Sequence, residues 1–389
     1  MAKKTPAKSA ERKAPKIPSF LKSRAAVLGL AFAGLVVLIL AYLLWGGGVR
    51  PFRGNTSDYN VLLVTLDTTR ADHLGAYGYK HIRTPILDGL ADDGALFEHA
   101  YTAAVMTFPS HSSILTGLLP PEHGGRNNGA SRLRASAETL AEVLKAAGWH
   151  TGAVVGAFVL HSMFGLDQGF ESYDDYLPDT GAHDVLFAQR GAREVTDAAL
   201  KYLAQAKSSK WFLWVHYYDA HSPYRPPSPY REEYGRNGYD GEIAYVDAQL
   251  GRLLAAIQEM GARERTILVV VGDHGEGLRE HGEQTHGVFV YDETARVPLI
   301  IQVPGFLSGA KRVTSVVRTV DVMPTILDLL RLPPRPAAAG TSLWPLMDGQ
   351  TPDLKLAAFT EATIPFLMYG WSPVASVREG KWKFIESPR

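Results

Sequence analysis

The sequence predicts an α/β protein: a mainly parallel sheet sandwiched by helices, preceded by one transmembrane helix and followed by a small antiparallel subdomain. Three observations predict it. Short apolar runs alternate with helix-periodic segments from Asn60 onward. One long apolar run near the N-terminus follows a basic stretch. The last residues alternate about a tight turn instead of continuing the strand–helix pattern.

In chain order, residues 1–24 carry Lys3, Lys4, Lys8, Arg12, Lys13, Lys16, Lys22 and Arg24 against a single acid, Glu11. The uncharged run Ala25 to Trp45 has about 21 residues, enough for a helix to cross a bilayer core of roughly 30 Å. It is long for the apolar part of a signal peptide, and no small-residue cleavage site follows cleanly. The basic flank precedes the run, so the positive-inside rule puts residues 1–24 in the cytoplasm and the rest outside, in the periplasm of a cell with an inner membrane. Residues 46–58, beginning Gly46-Gly47-Gly48, read as a tether.

Expected strands are Val61–Leu66, Thr151–Val155, Trp211–Val215, Thr266–Val271 and Leu299–Val303. All are short, apolar and rich in Val, Ile, Leu and Phe, as strands buried on both faces are. Leu140, Val143, Leu144 and Ala147 share one helix face, as do Val246, Leu250, Leu253 and Ile257. Residues 59–339 form the main domain on this reading. Residues 340–389 form the appendage, where Ala375–Arg378 and Lys381–Ile385 flank the hairpin turn Glu379-Gly380.

Composition narrows the function. The chain of 389 residues has no net formal charge (40 Lys and Arg, 40 Asp and Glu), so nothing favours a nucleic-acid partner. It has no cysteine, which excludes disulfides, thiolate metal sites and a cysteine nucleophile.

Chemistry gathers at strand ends, where ligands bind in open α/β sheets. One strand runs into Asp67, a second into His216-Tyr217-Tyr218-Asp219-Ala220-His221, and a third into Asp273-His274-Gly275-Glu276. Carboxylates and imidazoles converging from separate strands suit a divalent cation. The segment Met106-Thr107-Phe108-Pro109-Ser110-His111 reads as a helix start. It sets the Thr107 hydroxyl beside free backbone N–H groups that can receive an anionic oxygen.

These motifs together resemble the sulfatases of the alkaline-phosphatase superfamily. They are Asn60 to Gly75 around Asp67, Thr107-Phe108-Pro109-Ser110-His111 with Leu115-Thr116-Gly117, and Gly272-Asp273-His274-Gly275-Glu276. Gly165 to Phe170 and Arg296 to Ile300 add to them. The resemblance implies an alkaline-phosphatase-like α/β domain with a small C-terminal antiparallel subdomain. It also implies a metal-dependent esterase site, with Asp67, Thr107, Asp273 and His274 at the metal and Thr107 as nucleophile. His221 and His286 match residues that act on the transferred group or hold a second metal. Asn128, His216 and His111 are the expected substrate contacts. The metal is Ca, Zn, Mn or Mg.

The sequence departs from the sulfatase pattern at four places. Thr107 stands where sulfatases carry a Cys or Ser that is oxidised to formylglycine, and Thr cannot give that aldehyde. His111 replaces an arginine, Thr68 a frequent aspartate, and His274 a frequent asparagine. Threonine with an Asp-His pair is similar to phosphoethanolamine transferases. The expected activity is therefore cleavage of sulfate or phosphate esters through a covalent Thr107 intermediate at a membrane. The alternatives are head-group transfer to an envelope glycan or lipid, and a non-catalytic relative.

Overall fold

The computed structural model describes residues 55–178, 188–206, 209–307 and 309–388, which lie in one compact unit. The expected cytoplasmic tail, the apolar run 25–45 and most of the tether lie outside the described residues. Among the described residues, no helix is long and apolar enough to cross a membrane. The tether, expected to run to Asp58, is already fastened at Thr56, which is buried and donates its hydroxyl to the Leu329 carbonyl.

The main sheet holds nine strands. They are β1 (Asn60–Leu66), β2 (Ala95–Tyr101), β3 (His150–Val154), β4 (Ser172–Asp174), β5 (Trp211–Tyr217), β6 (Thr266–Gly272), β7 (Arg296–Val297), β8 (Leu299–Gln302) and β9 (Lys311–Arg318). Five of them, in the order β4-β3-β5-β1-β6, are parallel. Beyond β6 the sheet becomes mixed. β8 pairs antiparallel with β6 and β2, β7 continues β8 along the same edge of β2, and β9 closes the other edge of β2 in parallel.

Every residue of β1, β5 and β6 is buried. Their side chains alternate between two cores. Val61, Leu63, Phe212, Trp214 and Val269 face one, with Leu140 and Leu144 of the helix Leu140–Ala146. Leu62, Val64, Leu213, Val215 and Val270 face the other, with Leu250, Leu253 and Ile257 of the helix Gly238–Glu259. The period of two, with both faces apolar, is what a helix-covered sheet requires. Each buried Val or Leu contributes roughly 1.5–3 kcal/mol.

The second sheet is an antiparallel meander of β10 (Ala357–Ala362), β11 (Val374–Glu379) and β12 (Trp382–Glu386). It docks on the main sheet. The Thr360 hydroxyl donates to Thr102 O, and Arg378 and Lys383 both bond Asp292. Its first strand, β10, was not expected; nor were β2, β4 and β9.

Candidate active site

The three strands whose ends carry the chemistry are neighbours, with β1 between β5 and β6. Leu66 is in register with both Tyr217 and Gly272, which brings Asp67 level with Asp273 and the start of the His221 loop. The amides continue the ladder for one more residue, Asp67 N–H to Tyr217 O and Asp273 N–H to Leu66 O.

Asp67, Asp273 and His274 are wholly buried, and one ligand atom from each lies within 4.8 Å of the others. Asp273 Oδ1 accepts from the Thr68 and His274 amides, while its Oδ2 has no partner. Asp67 Oδ2 faces His216 Nε2, and its Oδ1 has no partner. His274 Nδ1–H donates to Gly275 O, so Nε2 carries the lone pair. That nitrogen lies 3.4 Å from Asp273 Oδ2 and 3.8 Å from Asp67 Oδ1. Two orphaned carboxylate oxygens beside a free imidazole lone pair form a hard donor set that fits a divalent cation.

The charges tell the same story. Burial opposes ionisation of Asp67, but His216, His274 and His221 hold its carboxyl well below the usual range. Burial first, then the Asp67 charge, pushes Asp273 well above it. Burial and His286 drive the His274 pKa well below the ordinary histidine value. Two such carboxylates ionise together only beside a cation.

Thr107 opens the helix Thr107–Thr116, and its Oγ1 lies 3.3 Å from His274 Nε2. Ser110 of the first turn donates to Asp273 O, which pins the helix to the end of β6. The free N–H groups expected at this helix start are fewer than anticipated. Pro109 has none, and the Phe108 amide donates to Asn128 Oδ1. Asn128, an expected substrate contact, thus caps the Thr107 helix with its Oδ1.

Two other expected substrate contacts are also occupied. His216 is buried, accepts the Gly156 amide at Nδ1 and donates from Nε2 to Asp67. It positions a metal ligand. His111 donates from Nδ1 to Thr107 O and accepts the Thr65 hydroxyl at Nε2; Thr65 in turn accepts from Trp214 Nε1. Burial lowers the His111 pKa to about 3, so it is a neutral strut behind Thr107, not a stand-in for an anion-binding arginine.

His221 and His286 do face the site. The His286 ring lies 4.3 Å from His274 and 5.1 Å from His221 between centroids. His221 stacks on Tyr218 at 4.4 Å and donates Nδ1–H to Ser222 O; burial and His286 lower its pKa. His286 Nδ1–H donates to Glu276, whose other oxygen accepts the Tyr224 hydroxyl. Burial works against a charged His286, but Glu276 prevails and raises its pKa.

Thr68 sends its hydroxyl to Ala220 O and so steadies the His221 loop. Asp219 keeps a buried, unpartnered Oδ2 but does not join the Asp67 cluster. Arg70 is tied to Asp72 and Glu280, and His281 stacks on Tyr291. Gly275 allows the Asp273–Glu276 turn, because a Cβ there would lie 1.9 Å from Glu293 O. The supporting residues Thr65 and Trp214 escaped sequence reasoning, since their partners are distant in the chain and no spacing links them.

A hydroxyl at a helix start lies with two carboxylates and three histidines beyond the ends of adjacent parallel strands, an arrangement suited to cleaving an ester in the α/β class. The family model described as Sulfatase matches residues 59–332, and the chain belongs to the sulfatase family. It is 27% identical to an arylsulfatase of Clostridium perfringens, over 74% of this chain and 78% of that one. It is 27% identical to human arylsulfatase A, over 83% and 74%. The fold matches a phosphonate monoester hydrolase from Silicibacter pomeroyi with a TM-score of 0.71 at 23% identity, covering 85% of this chain and 87% of that one. These relatives and neighbours are sulfate- or phosphonate-ester hydrolases.

Proposed function

We propose that this chain hydrolyses sulfate or phosphate esters by way of a covalent Thr107 ester. The observation that carries the reading is the Thr107 hydroxyl, 3.3 Å from His274 Nε2, at the edge of two unpartnered carboxylate oxygens. Asp67, Asp273, His274 and Thr107 would hold a divalent cation. When bound, it supplies Lewis acidity that lowers the pKa of the Thr107 hydroxyl and offsets charge on the transferred group.

The chain's own groups supply the rest. Thr107 Oγ, having lost its proton to water, attacks sulfur or phosphorus; the new Oγ bond forms as the bond to the ester oxygen breaks. His286, whose protonated form Glu276 favours, gives its proton to the departing oxygen. Water then attacks the same central atom with His221 Nε2 as base. The bond to Thr107 breaks, Thr107 Oγ takes up the proton that water gave to His221, and His286 regains a proton from solvent. A threonine ester has no collapse to an aldehyde, so displacement at the central atom is its only exit. Phosphoryl groups support that step well.

The basic residues 1–24 and the apolar run 25–45 support a single-pass anchor that holds the domain outside the cytoplasm, at the inner membrane of an enveloped cell. Substrates at an envelope glycan or lipid suit such a placement.

The test is turnover by the full chain, stripped of metal and then resupplied with Ca, Zn, Mn or Mg. The substrates are an aryl sulfate, an aryl phosphate monoester and a bis-aryl phosphate diester. Turnover that requires metal, and that Thr107→Ala reduces about 10⁴-fold, is expected. Undiminished turnover in Thr107→Ala overturns the covalent route. Turnover only with an added alcohol acceptor assigns the Thr107 ester to transfer instead of hydrolysis.

A further inference from the structure

The loop that carries His221 is held by a carboxylate outside the Asp67 cluster. Glu242 lies on the helix Gly238–Glu259 and is buried. Its Oε2 accepts the Ala220 amide at 3.0 Å, and its Oε1 accepts the Arg225 amide. The two donors bracket His221, so one side chain closes the loop from Ala220 to Arg225 at both ends.

Ala220 is where the loop most needs holding. Its φ is 87°, in the left-handed region that favours glycine, yet it is a wholly buried alanine. Such a backbone persists only where its surroundings fix it. Here both polar groups are fixed: Glu242 takes the N–H, and the Thr68 hydroxyl donates to the carbonyl. His221 comes next in the chain. Its amide bonds Tyr218 O, and its ring lies nearly flat on the Tyr218 ring, with 18° between the planes. Its Nδ1–H is spent on Ser222 O, which leaves Nε2 for the reaction. Burial first, and then Asp219, push the Glu242 carboxyl up to about 8, while the two amides favour its charged form. A glutamine of the same size has one acceptor oxygen, and its NH2 group would face an N–H.

We propose that Glu242 is a positioning residue for His221, and that the step it serves is the attack of water on the Thr107 ester. The proposal rests on the covalent reading above, in which His221 is the base of that step alone. Formation of the ester draws instead on Thr107 and His286, which other segments hold; His286 is fixed by Glu276. Tyr224, in the same loop as His221, also bonds Glu276. A leaving group that departs without a proton therefore isolates the second step, because it makes little use of His286.

The full, metal-loaded chain is assayed at about pH 9, where Glu242 is charged, with a 4-nitrophenyl ester of the acid it cleaves. In Glu242→Gln, kcat is expected to fall about tenfold and KM to fall with it. The ratio kcat/KM counts only the steps up to the Thr107 ester, so it changes less than about twofold. Nitrophenol release begins with a burst of about one per site. Hydrogen exchange at the Ala220 and Arg225 amides quickens about tenfold in the variant. A mere loss of folded protein would lower kcat at constant KM, and that result overturns the proposal. So does an unchanged kcat, or a kcat/KM that falls as far as kcat. If Glu242→Gln does not fold, Glu242→Asp, too short to reach both amides, is judged by the same criteria. The two readings fail separately. Undiminished turnover in Thr107→Ala removes the covalent ester, yet faster exchange with a lower kcat in Glu242→Gln still assigns Glu242 to His221. Unchanged exchange and kcat in Glu242→Gln, with Thr107→Ala inactive, overturns the Glu242 proposal alone.

Discussion

β1, β5 and β6 bury every one of their residues, whereas β9 leaves half of its residues within reach of water and β12 all of them. The two regions divide the work. The parallel strands end in the buried groups that must be held still: Asp67, the His216–His221 run, and Asp273 with His274. The mixed edge and the antiparallel sheet provide docking contacts and an exposed rim. Side chains anchored on closely packed strands hold the tight geometry that chemistry needs, while recognition of variable groups belongs on surface segments that tolerate change.

The contrast is broken most severely at the strand ends. Asp273→Ala removes an acid that the rest of the cluster is built around, and kcat/KM is expected to fall about 10⁴-fold. Metal content of the purified variant checks the cause, since the loss must come with loss of the bound ion. Gly275→Ala comes next. The added methyl meets a backbone oxygen that cannot swing aside, and a loss of about 3 kcal/mol is expected from the denaturation midpoint.

His216→Ala tests whether a residue with no route to substrate still matters. Metal affinity measured by titration is expected to weaken 10- to 100-fold, the usual effect of losing a group that orients a ligand. A change in KM with intact metal binding would instead restore His216 as a substrate contact.

Glu276→Gln sharpens the comparison through pH. Glu276 raises the pKa of His286, and a proton donor loses activity as pH rises through its pKa. Without the carboxylate that pKa falls. The alkaline limb of the pH–rate profile therefore moves to lower pH, with roughly tenfold less activity above neutrality. At the other extreme, Trp382→Ser on β12 is expected to change stability by less than about 0.5 kcal/mol in the same denaturation assay.

The parallel core was legible because each of its strands carries its own signal. Val61–Leu66, Trp211–Val215 and Thr266–Val271 are continuous apolar runs, and the structure extends each by one or two residues. β2 and β9 were not legible. The former contains Glu98 and His99 and the latter Lys311 and Arg312, so neither reads as buried, and their pairing with each other is decided between distant parts of the chain.

For the site, the sequence alone determined which residue types stand at the ends of which strands: Asp67, His221, Asp273 and His274, with Thr107 at a helix start. Local propensity and apolar periodicity suffice for that. Only the tertiary structure decided that β5, β1 and β6 are neighbours, and so that these groups meet. It also decided that His216, His111 and Asn128 spend their hydrogen bonds on Asp67, Thr107 and Phe108. A histidine's role depends on what fills its two nitrogens, and Asp67 and Gly156 for His216, like Thr65 for His111, come from segments far away in the chain, brought within 3.2 Å only by burial of the sheet between its helices.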